Sequence, residues 1–186
     1  MDKDVFFKNR SEEATIHEKT VLFLLNNAPS KATRLQKLSL VIEAALNGGI
    51  PEDTIPHNFG GFNQEIDDAL KQLEAENLVN KANSMFRLAL NGKELLYYLQ
   101  DEESMKVKEL SENLGRGLAG LTDKEIISIV YTMFPSLTKY SLIPEVEKIG
   151  KKEAPPIELK NNLLVLMKKK IKNTIIFELK EGAGKD

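Results

Sequence analysis

The sequence predicts an α+β fold, mainly α with small β. Three observations lead there. Apolar residues return at helical steps through most of the first hundred positions, acids and capping residues stand at the starts of those stretches, and one pair of short strand-like runs is joined by turn residues. Across 186 residues, 41% hydrophobic side chains suffice for a core, in one domain or two small ones.

Charge narrows the function classes. The 26 basic and 28 acidic side chains leave a formal net charge of -2, so any pull on nucleic acid or a membrane must be local. Residues 1–103 carry 11 Lys and Arg against 17 Asp and Glu, whereas residues 104–186 carry 15 against 11. Lysine outnumbers arginine 22 to 4, which leaves few of the bidentate forks that read guanine best. The lack of cysteine excludes disulfide frameworks, thiolate metal sites and cysteine nucleophiles, and fits a reducing cytoplasm. MDKDVFFKNRSEEA lacks the apolar run of a secretion signal, and no stretch approaches the roughly 18 apolar residues of a membrane span. A cytoplasmic chain with no membrane contact is expected.

Element by element, SEEATIHEKTVLFLLNN, from about Ser11 to Asn27, predicts one amphipathic helix with Ile16, Val21, Leu24 and Leu25 toward one side. Asn26, Asn27 and Pro29 end it. Ser30 is placed to cap a second helix in which Leu35, Leu38, Ile42, Ala45 and Leu46 recur, and Gly48 and Gly49 stop it. IPEDTIPHNFGGF, with two prolines and two glycines, reads as loop. Asn63 then caps a third helix, whose buried stripe is Ile66, Leu70, Leu73 and either Asn77 or Leu78. LVNK and MFRLAL form a hairpin through Ala82, Asn83 and Ser84. Asn91 with Glu94 three positions on reads as a capping box opening ELLYYLQ.

Three helices closed by a two-stranded hairpin make a winged helix-turn-helix domain, with bounds at 11–100. The residues carry a resemblance as well as a topology. TRLQKL, the aromatic-Gly pair before NQEIDDALKQLEAENLV, and FRLALNGKEL resemble archaeal winged-helix proteins related to the Panacea antitoxin domain. LTDKEIISIVYTMFPSLTKYS is similar to the helical extension of such proteins. The resemblance implies an antitoxin-like setting in which the protein partner is a toxin.

Residues 104–150 predict a helical extension. Ser104 to Leu114 reads as one helix, and Thr122 with Glu125 forms a capping box before Ile126, Ile127, Val130 and Phe134, stopped by Pro135. After the linker KKEAPP, residues 155–181 are a basic and apolar C-terminal segment. It alternates like a β hairpin around Asn161-Asn162, or reads as a helix through Leu163, Met167 and Ile171.

Catalytic chemistry finds no positive support. Gly115-Arg116-Gly117-Leu118-Ala119-Gly120 satisfies G-x-G-x-x-G, but a helix precedes the glycines where a dinucleotide site needs a strand, so a helix-to-helix turn is expected. His17 and His57 are the only histidines and lack zinc-ligand spacing. Adjacent Asp67 and Asp68 point different ways on a charged helix face, the pattern of a solvated surface. No enzyme, metal or cofactor is expected. Basic residues are the remaining candidates: Lys31, Arg34 and Lys37 at the start of the second helix, Lys81 and Arg87 beside the wing tip, and the lysines 168, 169, 170 and 172, whose plainer role is to solubilise an apolar segment.

The third helix poses the question of function. Between Asn63 and Leu78 it holds five acids and one lysine. The acids of its first turn meet the helix dipole favourably, yet against a polyphosphate Asp67 and Asp68 repel. The first expectation is a DNA-binding, transcription-regulator-like protein. Lys31, Arg34, Lys37, Lys81, Asn83, Ser84 and Arg87 would hold double-stranded DNA, and Gln64, Lys71 and Gln72 would read bases, with a homodimer as the usual way to enlarge the site. The alternative is a winged-helix protein-interaction module whose acidic helix docks a basic protein or a second copy of itself.

Overall fold

The computed structural model describes residues 2–52, 54–55, 61–134 and 137. The C-terminal segment expected at 155–181, and the loop residues around His57, lie outside them. In chain order the elements are α1 (Lys3–Glu13), α2 (Ile16–Asn27), β1 (Ser30–Lys31), α3 (Ala32–Asn47), β2 (Thr54–Ile55) and β3 (Phe62–Asn63). These are followed by α4 (Gln64–Ala75), β4 (Val79–Ala82), β5 (Met85–Leu88), α5 (Leu90–Tyr98), α6 (Glu102–Gly117) and α7 (Asp123–Met133). The molecule is mainly helical with a small antiparallel sheet, as an α+β reading requires.

The helix expected from Ser11 to Asn27 is two helices. Ala14 and Thr15 are extended, and Thr15 opens α2 with a full capping box: the Glu18 amide donates to Thr15 Oγ1 at 3.2 Å, and the Thr15 amide donates to Glu18 Oε2 at 2.8 Å. Before the break, α1 reaches back to Lys3, capped by Asp2. α2 is buried nearly all round, every residue from Glu18 to Leu25 included, and so lies at the centre of the described helices. It packs against α3, α4, α6 and β5. Ser30 does not cap α3. Residues 30–31 instead pair with β5, Lys31 occupies the N-cap without a side-chain bond, and Ser30 Oγ donates to Ala28 O.

α3 ends at Gly48, whose φ of 77° is the left-handed conformation glycine tolerates best. In the segment expected as loop, β2 and β3 pair as Thr54↔Asn63 and Ile55↔Phe62. α4 is capped by Asn63, as its sequence predicts, and buries Ile66, Ala69, Leu70 and Leu73. It stops in a Schellman turn: Leu78 N donates to Leu73 O at 2.9 Å, and Asn77 holds φ 55°. Leu78, therefore, is the buried residue and Asn77 the exposed cap.

The hairpin turn is Asn83-Ser84, with φ of 50° and 64°, the paired left-handed residues of a type I′ turn. β5 lies between β4 and β1 in the three-stranded sheet. The capping box expected at Asn91 and Glu94 is absent. α5 begins at Leu90, and Ala89 at its N-cap donates its amide to Leu78 O at 3.0 Å. A tertiary contact sets the start: a Cβ on Gly92 would lie 2.1 Å from the same Leu78 oxygen, so only glycine lets α5 approach so closely.

In the extension, α6 is capped by Asp101 and runs on through Gly115 and Gly117 before the turn at residues 118–120. The glycine motif therefore sits within and just after a helix, without the strand a phosphate cradle needs. α7 opens with the predicted box of Thr122 and Glu125. It buries Ile126, Val130 and Phe134. α6 packs on α2 and α7 on α3. The core joins these helices through Leu22, Leu35, Ile42, Ile66, Leu73, Leu78, Leu95, Val107 and Ile126, all fully buried.

Candidate interaction surface

α4 is fixed at its start by buried polar side chains of α3. Gln36 makes a two-way bond with Asn63, donating from Nε2 to the carbonyl at 2.9 Å and accepting the amide at Oε1 at 3.0 Å. Asn63 in turn donates from Nδ2 to Glu43 Oε2 at 3.3 Å and accepts the Glu65 amide at 2.8 Å. Each satisfies a polar group that would otherwise be costly to bury. Next to them, Lys37 Nζ donates to Gly61 O at 2.6 Å, and burial pushes its pKa down to about 8.

The far end of α4 is held by α1. Arg10, buried, bonds Glu18 and reaches Glu76 at 2.7 Å through Nε, so one guanidinium joins α1, α2 and the C-cap of α4. Desolvation lowers the Arg10 pKa, but its bonds to Glu18 and Glu76 win and raise it. Nothing in the local pattern announces Arg10, because its partners lie 8 and 66 residues away.

Between these anchors α4 turns its carboxylates outward. Lys71, the one cation of the helix, lies 2.7 Å from Asp67 and 3.0 Å from Asp68. Gln64 donates to Asp68 at 2.9 Å, and Gln72 donates to Glu76 at 3.1 Å. The bonds from Lys71 and Gln64 hold the Asp68 carboxyl below its ordinary pKa, and those to Asp67 and Asp68 raise that of Lys71. All three expected base readers are thus engaged with carboxylates of their own helix end.

Of the three basic residues expected together on α3, one is withdrawn. Lys37 is 2% exposed, so its ammonium cannot reach a phosphate. The three-residue steps carry it round the helix onto the side facing β3. Arg34 donates to Leu121 O at 3.1 Å and lies 3.5 Å from Asp123, while exposed Lys31 lies 3.5 Å from the same carboxylate. Asp123, unremarked in the sequence, is their shared counter-charge.

The wing residues stand apart from α4. Lys31↔Met85, Ala82↔Met85 and Asn80↔Arg87 are cross-strand pairs, so their side chains share the outer face of the sheet. Ser30, Phe86, Val79 and Leu88 take the inner face. Lys81 belongs to that inner register but leans over Phe86, its Nζ 5.1 Å from the ring centroid. Asn83 and Ser84 are exposed at the turn.

No family model, curated protein or solved structure matches this chain. Among the described residues no three His, Asp or Glu side chains converge as a metal site, and no helix is long and apolar enough to cross a membrane.

Proposed function

We propose that α2 to β5 form a winged-helix protein-interaction module that offers the acidic outer face of α4 to a basic partner. The order α2, β1, α3, α4, β4, β5, with β5 between β1 and β4, supports the winged-helix reading. The observation that carries the functional reading is the placement of Lys71 between Asp67 and Asp68. From Gln64 to Ala75 the helix has four carboxylates against one ammonium, and that ammonium is already shared by two of them. Like charges repel, so laying this face on a phosphate backbone is unfavourable. The same sign favours lysine and arginine on a protein.

DNA binding is the second reading, and the outer sheet face favours it. Lys31, Lys81 and Arg87 with Asn83 and Ser84 form a basic, exposed wing able to meet phosphate and sugar. With Lys37 buried and Arg34 held by Asp123, about three phosphate contacts remain, which predicts a log-log salt slope near -3 on a random duplex.

Two measurements separate the readings. A polypeptide that co-purifies stoichiometrically with the wild type and is lost from the Asp67→Lys, Asp68→Lys variant supports the acidic face. A salt-dependent duplex affinity with the slope above, reduced by about 2 in Lys81→Ala, Arg87→Ala, with no such polypeptide, overturns it in favour of DNA.

A further inference from the structure

We propose that the outer face of the three-stranded sheet docks against the α4 acidic face of a second copy of this chain. The inference rests on the reading of α4 as a protein-binding surface and names one occupant for it. On this sheet face Asn80, Ala82, Arg87 and Lys31 are exposed and Met85 is half-buried; among the described residues, Asp123 lies 3.5 Å from the Lys31 ammonium. The face is narrow, with two cations on either side of an adaptable methionine and an alanine, and Lys81 standing at the free β4 edge.

Complementarity lies within one sequence. The sheet supplies cations where α4 supplies Asp67, Asp68 and Glu74. Lys71 gives Asp67 and Asp68 a single ammonium to share. A guanidinium brings five donors in a planar fork, so Arg87 of a second copy can engage carboxylate lone pairs that a point charge leaves open. Arg87 is also the residue of this face best suited to an interface, where arginine and methionine are enriched. The two faces are joined by only residues 76–78, so one chain presents both signs side by side. A pair in which each copy's sheet meets the other's helix closes as a dimer; a head-to-tail contact that does not close extends instead.

The test is a charge swap read by solution mass. Wild-type chain at about 100 µM and about 50 mM salt should run above the mass of one chain, and its dissociation constant should weaken at least about tenfold near 1 M salt, where the Debye length is about 3 Å. Asp67→Lys, Asp68→Lys and Lys31→Glu, Arg87→Glu should each run as single chains. All four side chains lie at the surface, and an unchanged far-ultraviolet helical signal checks that each variant is folded. Mixing the two variants in equal amounts should restore association, because the reversed helix of one then meets the reversed sheet of the other. A variant carrying all four changes should associate by itself.

A wild type of single-chain mass overturns the proposal, as does association that survives either swap, or loss of association that mixing does not rescue. If the wild type is a single chain yet still holds a polypeptide that Asp67→Lys, Asp68→Lys releases, the α4 reading stands and self-docking alone falls. If it is a single chain that binds duplex DNA through Lys31 and Arg87, the sheet face belongs to nucleic acid.

Discussion

Lys37 should make this protein gain stability as the pH rises above neutral. Its ammonium is buried, its contact is the Gly61 carbonyl at 2.6 Å, and burial lowers its pKa from 10.5 to about 8. Below about pH 8 both folded and unfolded chains carry the proton, and the folded chain bears the full cost of holding a charge out of water. Between about pH 8 and 10.5 the unfolded lysine still binds its proton while the folded one releases it, so the unfolded state holds more protons and stability climbs. The lowering from 10.5 to about 8 corresponds to about 3 kcal/mol in the limit, most of which develops by pH 10. The neutral amine still donates to Gly61 O, so the clasp on the segment before α4 survives deprotonation. Urea unfolding of wild type and Lys37→Met at about pH 7, 8, 9 and 10 isolates the effect, because other titrations cancel in the difference between the two. Wild type should gain on the variant steadily across that range. A difference that stays flat, or shrinks, would falsify the burial argument.

Other contacts make equally direct predictions, each read by chemical denaturation at neutral pH. Arg10→Met leaves Glu18 buried without its cation and should cost about 3–5 kcal/mol. Gly92→Ala forces a methyl to within 2.1 Å of Leu78 O, a backbone atom that cannot rotate away, and should cost at least about 1–3 kcal/mol. Asn77→Ala should cost about 1 kcal/mol through its φ of 55°, whereas Asn77→Gly should be nearly neutral.

What the sequence made legible was local. The cap at Asn63, the apolar stripe of α4 and the capping box at Thr122 each depend on residues within a few positions of one another and form as read, and the hairpin turn forms at Asn83-Ser84 with Ala82, expected in the turn, paired to Met85 at the end of β4. What it hid was decided across distance. Asn91 and Glu94 have the spacing of a capping box, but the contact of Ala89 and Gly92 with Leu78 sets the N-cap of α5 two residues earlier, at Ala89. Ser30 is a good cap by type, and strand pairing with Phe86 takes it away. Lys37 reads as a surface charge until Gly61, 24 residues on, is seen to meet its ammonium. The break between α1 and α2 is the exception, since Thr15 and Glu18 carry a local signature that the continuing helical period overrode.

The hidden contacts bear most directly on the candidate site. Gln36, Glu43 and Lys37 secure the start of α4, and Arg10 secures its end, so the helix is set at both ends by polar groups rather than by apolar packing alone. Apolar packing tolerates sliding and repacking, whereas a two-way amide bond and a guanidinium shared by two carboxylates fix position and direction. A surface used for recognition benefits from that rigidity, because ordering a helix at the moment of binding subtracts from affinity. Asp67, near the helix start, and Asp68 beside it are therefore held at fixed positions and given a favourable dipole at the same time. Their repulsion of phosphate is then a standing property of the surface and cannot be relieved by the helix swinging aside. On the proposed reading, DNA would have to be held from the sheet face, and α4 would favour cations carried on protein.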